Sequence, residues 1–221
     1  RFLNTNTFFR APAATGESPE LVEPLGEPYF RIGDLPRNRW AATLPSPHAF
    51  AAGDLTPRAV AEGVLGPQIG WLAGNGCAMI VLQETTLFGG RIDVYPLSEA
   101  LDALQSPLPI SLQLPFGDSG DVLGELVELD VEAIGVDFYA TDLEALPRPF
   151  PKTLLAGVVD ARNSLLEEPE QLAKFGRQLL EELDGELHLV PNGDLQFVPE
   201  KIAREKVLRL GEAARILKEE Q

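Results

Sequence analysis

The sequence predicts a single α/β domain over residues 1–221, folded as a TIM (β/α)8-type barrel that lacks its first βα unit in the chain given. Short apolar, β-branched segments recur at roughly 20 to 40 residue spacing, and each is followed by a helical segment. We count seven such units, whereas barrels of this type close with eight. The first residue is Arg1 and not Met, and we therefore expect the missing unit to precede it.

The N-terminal half contains three predicted core strands, a minor strand and one well-delimited helix. Thr56 is suited to cap this helix and Pro57 to occupy its first position, and Gly74 and Gly76 end it near residue 73. The strands predicted in this half are residues 1–9, 29–32, 40–44 and 77–84.

The C-terminal half alternates strands and helices more regularly. Predicted strands are residues 109–116, 133–138, 153–160 and 187–190. Predicted helices are residues 97–104, 119–129, 141–146, 168–183 and 199–218. In the second of these helices we expect Asp121 and Glu125 to face outward.

The clearest βαβ unit is the pair of segments TLLAGVVDARN (153–163) and ELHLVPNGDLQFVP (186–199), which a polar amphipathic helix separates. In parallel units of this kind, chemistry is located just beyond the carboxyl ends of the strands. The candidate residues are therefore Asp160, Arg162 and Asn163 after the first strand, and Asn192 and Asp194 after the second.

The charge, the apolar runs and the cysteine count of the sequence exclude several classes of protein. There are 34 acidic and 18 basic residues, so the formal charge of −16 argues against a nucleic-acid or anionic-membrane partner. No apolar run reaches the length of a membrane span and no signal segment opens the chain, so we expect a cytoplasmic protein. The single Cys77 excludes an internal disulfide, and its buried-strand context GCAMIVL favours an inert core thiol.

Three acidic side chains end three different predicted strands and should converge at one rim. Glu84 follows Gln83 at the end of IVLQE, Asp137 ends AIGVDF, and Asp160 ends LAGVVD. The set could hold a cation or a substrate amine, or form a hydrogen-bonded ring around Arg162, which is the preferred interpretation because this arginine follows Asp160 two residues later in the chain. Glu84 also has a structural alternative, as an ion-pair partner or helix cap.

The two histidines have different contexts. His48 follows a barrel strand in a Pro-rich turn, from which it could reach the mouth of the barrel. His188 alternates with Leu187 and Leu189, so we expect it on the opposite face in a packing or helix-facing role. The sequence contains no phosphate loop, dinucleotide fingerprint or nucleophile elbow.

Five segments, in order along the chain, together resemble the cobalamin-independent methionine synthases, a family built from two (β/α)8 barrels related by duplication. RFLNTNTFF is similar to the family's strand ending in Thr-Asn-Tyr, and LPSPHAF to its Gly-Pro-Val-Thr turn. AGNGCAMIVLQETTL is similar to its Gln-Ile-Asp-Glu-Pro-Ala-Leu segment, LAGVVDARN to Gly-Val-Val-Asp-Gly-Arg-Asn, and LVPNGDLQFVP to Ser-Cys-Ser-Leu-Leu-His-x-Pro. The Thr-Asn and Arg-Asn pairs are features of the N-terminal, zinc-free barrel, which the chain resembles most.

The resemblance implies a metal centre whose ligands this chain does not carry. In the family's catalytic barrel, zinc held by His, Cys, Glu and a second Cys activates homocysteine as a thiolate. Aligned on this sequence, the His and first Cys fall on Leu114 and Phe116, the second Cys on Gly193, and the Glu on Asp137. The family's catalytic His falls on Arg162, and its substrate-binding Asp is Gln83 here. We therefore expect no zinc, and assign no catalytic residue.

Three functional hypotheses follow. The first is a methionine-synthase-like protein without the zinc-dependent methyl-transfer chemistry. The second is a non-catalytic barrel that binds a folate-like ligand, an amino acid or a second subunit, with that subunit or the missing N-terminal segment completing the barrel. The third is an unrelated hydrolase or lyase activity at the barrel mouth. Candidate substrate-binding residues are Asn6, His48, Gln83, Glu84, Asp137, Asp160, Arg162, Asn163 and Asn192.

Overall fold

Six strands form one parallel sheet in which spatial order follows chain order. The computed structural model describes residues 35–51, 55–88 and 93–219. The strands are β1 (Ala41–Pro45), β2 (Met79–Gln83), β3 (Ile110–Leu114), β4 (Ala133–Asp137), β5 (Thr153–Val159) and β6 (Leu187–Pro191). This half-barrel confirms the predicted α/β class and six of the predicted strands to within a few residues.

Closure of the barrel with eight strands and the missing first unit stay predictions. The strands predicted over residues 1–9 and 29–32, and Asn6 with them, lie outside the described residues.

β4 and β5 are buried almost throughout, because the sheet is covered on its outer face and curves around a lumen on the other. Cys77, just before β2, is 2 % exposed. Burial raises the pKa of its thiol, which agrees with the predicted core role.

The helix after β1 begins as predicted but changes its hydrogen-bond pattern midway. A short helix, α1 (Pro47–Phe50), precedes α2 (Pro57–Val60). The Thr56 side chain caps α2, because its hydroxyl oxygen accepts a hydrogen bond from the backbone amide of Ala59 at 3.1 Å. The chain continues as a π-helical segment, Ala61–Leu65, and then as α3 (Gly66–Gly74). Pro67 explains the change, since it lacks the amide proton that an α-helix would require at that position.

Two predicted helices are much shorter in the structure. The segment expected to be helical over residues 119–129 contains only α5 (Leu123–Leu126), and that over 141–146 only a 3₁₀ turn, Leu143–Ala145. Several amides of the first segment bond to the third residue before them, as in turns. Gly120 and Gly124 also lower its helix propensity. Asp121 and Glu125 are exposed, as expected.

The remaining helices are α4 (Tyr95–Leu104), α6 (Pro169–Leu180) and α7 (Glu200–Glu219), close to their predicted bounds. α6 and α7 pack closely at Gly176, where an added Cβ would lie 2.7 Å from Cδ1 of Leu217. Within the described part of the chain, every helix is too short or too polar to cross a membrane.

Candidate functional site

The polar residues predicted at the strand ends do gather at one rim of the sheet. Asp137 is the last residue of β4, and Glu84, Asp160 and Asn192 directly follow β2, β5 and β6. Because all six strands are parallel, these carboxyl ends lie on the same side. His48 reaches the same rim from α1, where it contacts Glu84.

Glu84 is fully buried, and its carboxylate accepts hydrogen bonds from two neighbouring loops. One carboxylate oxygen accepts a hydrogen bond from the hydroxyl of Ser46. The other accepts two hydrogen bonds from Thr86, one from its backbone amide at 2.7 Å and one from its hydroxyl at 2.6 Å. Ser46 caps α1 at the same time by accepting the amide of Ala49. Sequence reasoning missed Ser46 and Thr86, although both are hydroxyl residues placed one to three positions beyond a strand end.

His48 is held against this buried carboxylate. Its Nδ1 lies 2.9 Å from the Thr86 hydroxyl oxygen and 3.4 Å from Glu84. The only hydroxyl proton of Thr86 is donated to Glu84, so Nδ1 of His48 must donate to Thr86. The imidazole orientation is therefore fixed by two partners, an arrangement suited to proton transfer.

Asp137 and Asn192 join the ends of β4, β5 and β6. One oxygen of Asp137 accepts the amide of Tyr139 at 2.9 Å and the side-chain amide of Asn192 at 3.1 Å. The Asn192 carbonyl accepts the amide of Ala161 at 2.8 Å. The second oxygen of Asp137, Oδ2, is buried and has no hydrogen-bond partner among the residues that the structure describes.

Burial is the main reason why the pKa of Asp137 is raised, and the charge of Asp160 adds to it. The hydrogen bonds from Tyr139 and Asn192 and the charge of Arg162 act in the opposite direction but do not offset burial. The folded protein thus binds this proton more tightly than the unfolded chain.

We expect Asp137→Asn to reduce the pH dependence of stability. The wild-type protein should lose stability as pH rises from about 4, the unfolded-state pKa of an aspartate, through the higher folded-state pKa. Asparagine keeps the shape and cannot ionise, so the variant should gain stability relative to wild type across that window. Urea titrations of both proteins at a series of pH values measure the difference; Asp121→Asn, at an exposed position, is the control. A constant difference at all pH values would contradict the prediction.

The predicted ring of acids around Arg162 does not form. One oxygen of Asp160 accepts a hydrogen bond from the backbone amide of Arg162 at 2.9 Å, and the other accepts one from the side-chain amide of Asn163 at 2.5 Å. Both oxygens therefore bond to residues of the turn that directly follows. The guanidinium of Arg162 instead lies over the ring of Phe116, 4.5 Å from its centroid. Among the described residues it makes no ion pair. The prediction was wrong because donors close in sequence, the Arg162 backbone amide and the Asn163 side chain, already occupy both oxygens of Asp160.

Phe116, just after β3, is the centre of an aromatic cluster at this rim. Its φ of 64° is in the left-handed region, which is uncommon for a bulky residue. The ring meets Phe197 edge-on at 5.8 Å, and a Cβ on Gly193 would overlap it. The surroundings therefore fix an unfavourable backbone conformation, a feature found at binding and catalytic sites.

A second network, which sequence reasoning missed, supports the loop that carries Asp160 and Arg162. The fully buried Lys206 of α7 donates to both carboxylate oxygens of Glu167 at 3.0 Å and to the carbonyl of Leu165 at 2.5 Å. Glu167 also accepts the amide of Asp160 and the hydroxyl of Tyr139, each at 3.0 Å. A lysine on an amphipathic helix gives no sequence signal of burial.

The concave face of the sheet lines an open cavity of about 440 Å³, which we call the lumen. Its lining includes Thr43, Val81, Gln83, Gln113, Leu155 and His188. Gln113 donates to the carbonyl of Pro191 at 3.1 Å and accepts from Gln83 at the long distance of 3.5 Å. His188 does lie opposite Leu187 and Leu189, but it faces the lumen with its side chain 54 % exposed and does not pack against a helix.

Comparison with known proteins identifies methionine synthases among the relatives of this chain. A curated protein named methionine synthase from Saccharolobus islandicus strain Y.G.57.14 is 30 % identical over 158 residues, which are 67 % of this chain and 47 % of the relative. A 5-methyltetrahydropteroyltriglutamate–homocysteine methyltransferase from Streptococcus gordonii is 39 % identical over 85 residues, 37 % of this chain and 10 % of the relative. The chain thus spans about half the length, or less, of these curated relatives.

The fold has a solved counterpart. A B12-independent methionine synthase from Shewanella sp. W3-18-1, in complex with selenomethionine, matches 81 % of this chain and 62 % of that structure with a TM-score of 0.64. Its sequence identity of 17 % makes this a likeness of fold alone. No protein-family model matches the chain.

Proposed function

Since the chain belongs to the methionine-synthase-like superfamily, we propose that this barrel binds a small polar molecule at its mouth and does not carry out zinc-dependent methyl transfer to homocysteine. The observation that supports this most directly is the packing of the Phe116 ring against Gly193. The resemblance places the two cysteine ligands of the family's zinc at these two positions.

The residues at the aligned positions do not fit a zinc ion. Structural and catalytic zinc sites use thiolate, imidazole and carboxylate ligands in a tetrahedral arrangement. Leu114 is fully buried and apolar, Phe116 offers only a ring, and Gly193 has no side chain. In the described part of the chain, no cluster of three or more His, Cys, Asp or Glu residues is placed to hold a metal ion. Asp137 alone cannot supply the site.

The charges at the rim do not replace a metal ion in activating the nucleophile of methyl transfer. A thiol such as that of homocysteine has a pKa of about 8.5, so only a few per cent is thiolate at neutral pH without a metal or a positive charge. Glu84 is a buried acid at the same rim as Asp137 and would raise that pKa, which opposes the lowering effect of the Arg162 charge.

The lumen is suited to binding a small molecule. Its volume of about 440 Å³ is within the range of ligand sites, and apolar walls such as Val81 and Leu155 alternate with the amides of Gln83 and Gln113. The bond between the two glutamines is long, so the Gln83 amide can turn toward a ligand at little cost. An amino acid or a pterin presents donors and acceptors that such amides recognise.

We expect the purified chain to retain less than about a tenth of an equivalent of zinc after incubation with zinc and desalting, since the ligands that hold such ions are missing. It should form no methionine from homocysteine and methyltetrahydrofolate carrying a polyglutamate tail. Calorimetric titration with methionine, homocysteine and the folate should detect binding of at least one of them.

Stoichiometric zinc would overturn our interpretation of Leu114, Phe116 and Gly193. Turnover that survives a chelator and is abolished by Glu84→Ala would show that the chain generates the thiolate in another way. If none of the three compounds binds, the proposal that the lumen binds an amino acid or a pterin is wrong.

A further inference from the structure

We propose that Arg162, positioned over the ring of Phe116, binds the oxyanion of a small ligand, either a carboxylate or a phosphate, whose remainder occupies the lumen. The proposal deepens the function proposed above by naming the chemical group that the rim recognises. It assigns a binding role to the two positions at which the resemblance places a catalytic histidine and a zinc ligand.

The first argument is that the guanidinium of Arg162 forms no ion pair with an acid in the described part of the chain. Five other arginines each form an ion pair with a glutamate: Arg58, Arg148, Arg204, Arg209 and Arg215. In a chain with a formal charge of −16, acids are abundant, yet Arg162, like Arg37 and Arg39, forms no ion pair with a described residue. Its charge and its donors are available to a ligand.

The second argument is that the neighbouring acids are already engaged. Both oxygens of Asp160 accept local hydrogen bonds, from the Arg162 backbone and from Asn163. One oxygen of Asp137 accepts from Tyr139 and Asn192. Asp137 attracts the guanidinium of Arg162 electrostatically but forms no ion pair with it. An incoming anion therefore has limited competition for Arg162.

The third argument is that the platform beneath the guanidinium is rigid. Phe116 is held in a left-handed backbone conformation by contacts with Phe197 and Gly193. The distance of 4.5 Å from the guanidinium carbon to the ring centroid is within the range of a cation–π interaction. Stacking on an aromatic ring restricts the guanidinium in advance and leaves its N–H donors, which bond to no described residue, directed at a carboxylate or phosphate.

The position of the cluster connects it to the lumen. Gly193 both touches the Phe116 ring and lines the cavity. A ligand with its oxyanion at Arg162 can therefore extend past Gly193 to the amides of Gln83 and Gln113. The unpartnered Oδ2 of Asp137, which is buried at the same rim, is a further polar atom that such a ligand could satisfy.

The test measures binding of two probes, glutarate and inorganic phosphate, to the full chain by calorimetry and by chemical-shift perturbation at low ionic strength. We expect one of the two to bind, and the identity of the stronger probe distinguishes a carboxylate from a phosphate ligand. Arg162→Gln should weaken that probe at least tenfold. Arg162→Lys should weaken it less, because it keeps the charge but loses the bidentate geometry. Phe116→Leu should also weaken it, because the cation–π contact is lost.

Arg58→Gln is the matched control, because Arg58 is an exposed arginine paired with Glu62, and it should leave the affinity unchanged. Equal affinity in wild type and Arg162→Gln, or no detectable binding of either probe at millimolar concentration, would overturn the proposal. Thermal unfolding of each variant shows that the fold is retained. The outcome is independent of the zinc and methyl-transfer assays, so the two proposals can fail separately.

Discussion

Lys206→Met is expected to lower the free energy of unfolding by about 3 to 5 kcal/mol, the usual cost of removing one partner of a buried ion pair. The side chain of Lys206 is fully buried and that of Glu167 is 13 % exposed, so solvent cannot replace the lost charge effectively. The carbonyl of Leu165 would lose its donor as well. Urea-induced unfolding of the variant, followed by circular dichroism, measures the effect.

The control is Lys201→Met, on the same helix but exposed, which we expect to change stability by no more than about 0.5 kcal/mol. The double variant Lys206→Met with Glu167→Gln should recover part of the loss, because it leaves no uncompensated buried charge. A cost for Lys206→Met similar to that of Lys201→Met would mean that the buried pair contributes little.

Gly157→Ala is expected to destabilise the protein by about 3 kcal/mol, at the upper end of the range for overpacked interiors. A Cβ at this position would lie 2.7 Å from the carbonyl oxygen of Val136 and 2.8 Å from Cα of Asn192. Both are backbone atoms, so the strain can be relieved only by separating β5 from its neighbours. The pairing of β5 and β6 already shifts register between Gly157 and Val159.

Gly211→Ala is the matched control, because an added Cβ there has nothing within 4 Å. Alanine should stabilise the interior of α7 by about 0.5 to 1 kcal/mol. Equal effects of the two substitutions would contradict the packing argument. Because Asn192 would move, Gly157→Ala should also perturb the rim, and a two-dimensional NMR spectrum of the variant would show it in the Asp137 and Ala161 amides.

The features of the fold that depend on local pattern could be predicted from the sequence. The β-branched apolar runs of β2, β4 and β5 and the regular alternation with helices indicate a parallel sheet. Parallel strands then bring Glu84, Asp137, Asp160 and Asn192 to one rim without any knowledge of packing. Thr56 and Pro57 predicted the start of their helix for the same local reason.

Features that depend on tertiary contacts could not be predicted in this way. The Phe116 ring, in the loop after β3, contacts Gly193 in the loop after β6, and no local sequence pattern predicts this contact. Lys206 has the same sequence context as an exposed helical lysine and is buried only because the loop before α6 folds over it. The partner of Arg162 was wrongly predicted because a neighbour in sequence was assumed to be the nearest acceptor.

The bond from the Gln113 side chain to the carbonyl of Pro191 spans the concave face, since β4 and β5 lie between β3 and β6. It therefore restrains the curvature of the sheet as well as lining the lumen. A ligand that accepts the N–H now donated to Pro191 displaces that carbonyl, and such a binding event relaxes the restraint. By thermodynamic linkage, whatever flattens the sheet at β6 also makes the Gln113 amide more available, so affinity for a ligand and the bending of the half-barrel are coupled in both directions.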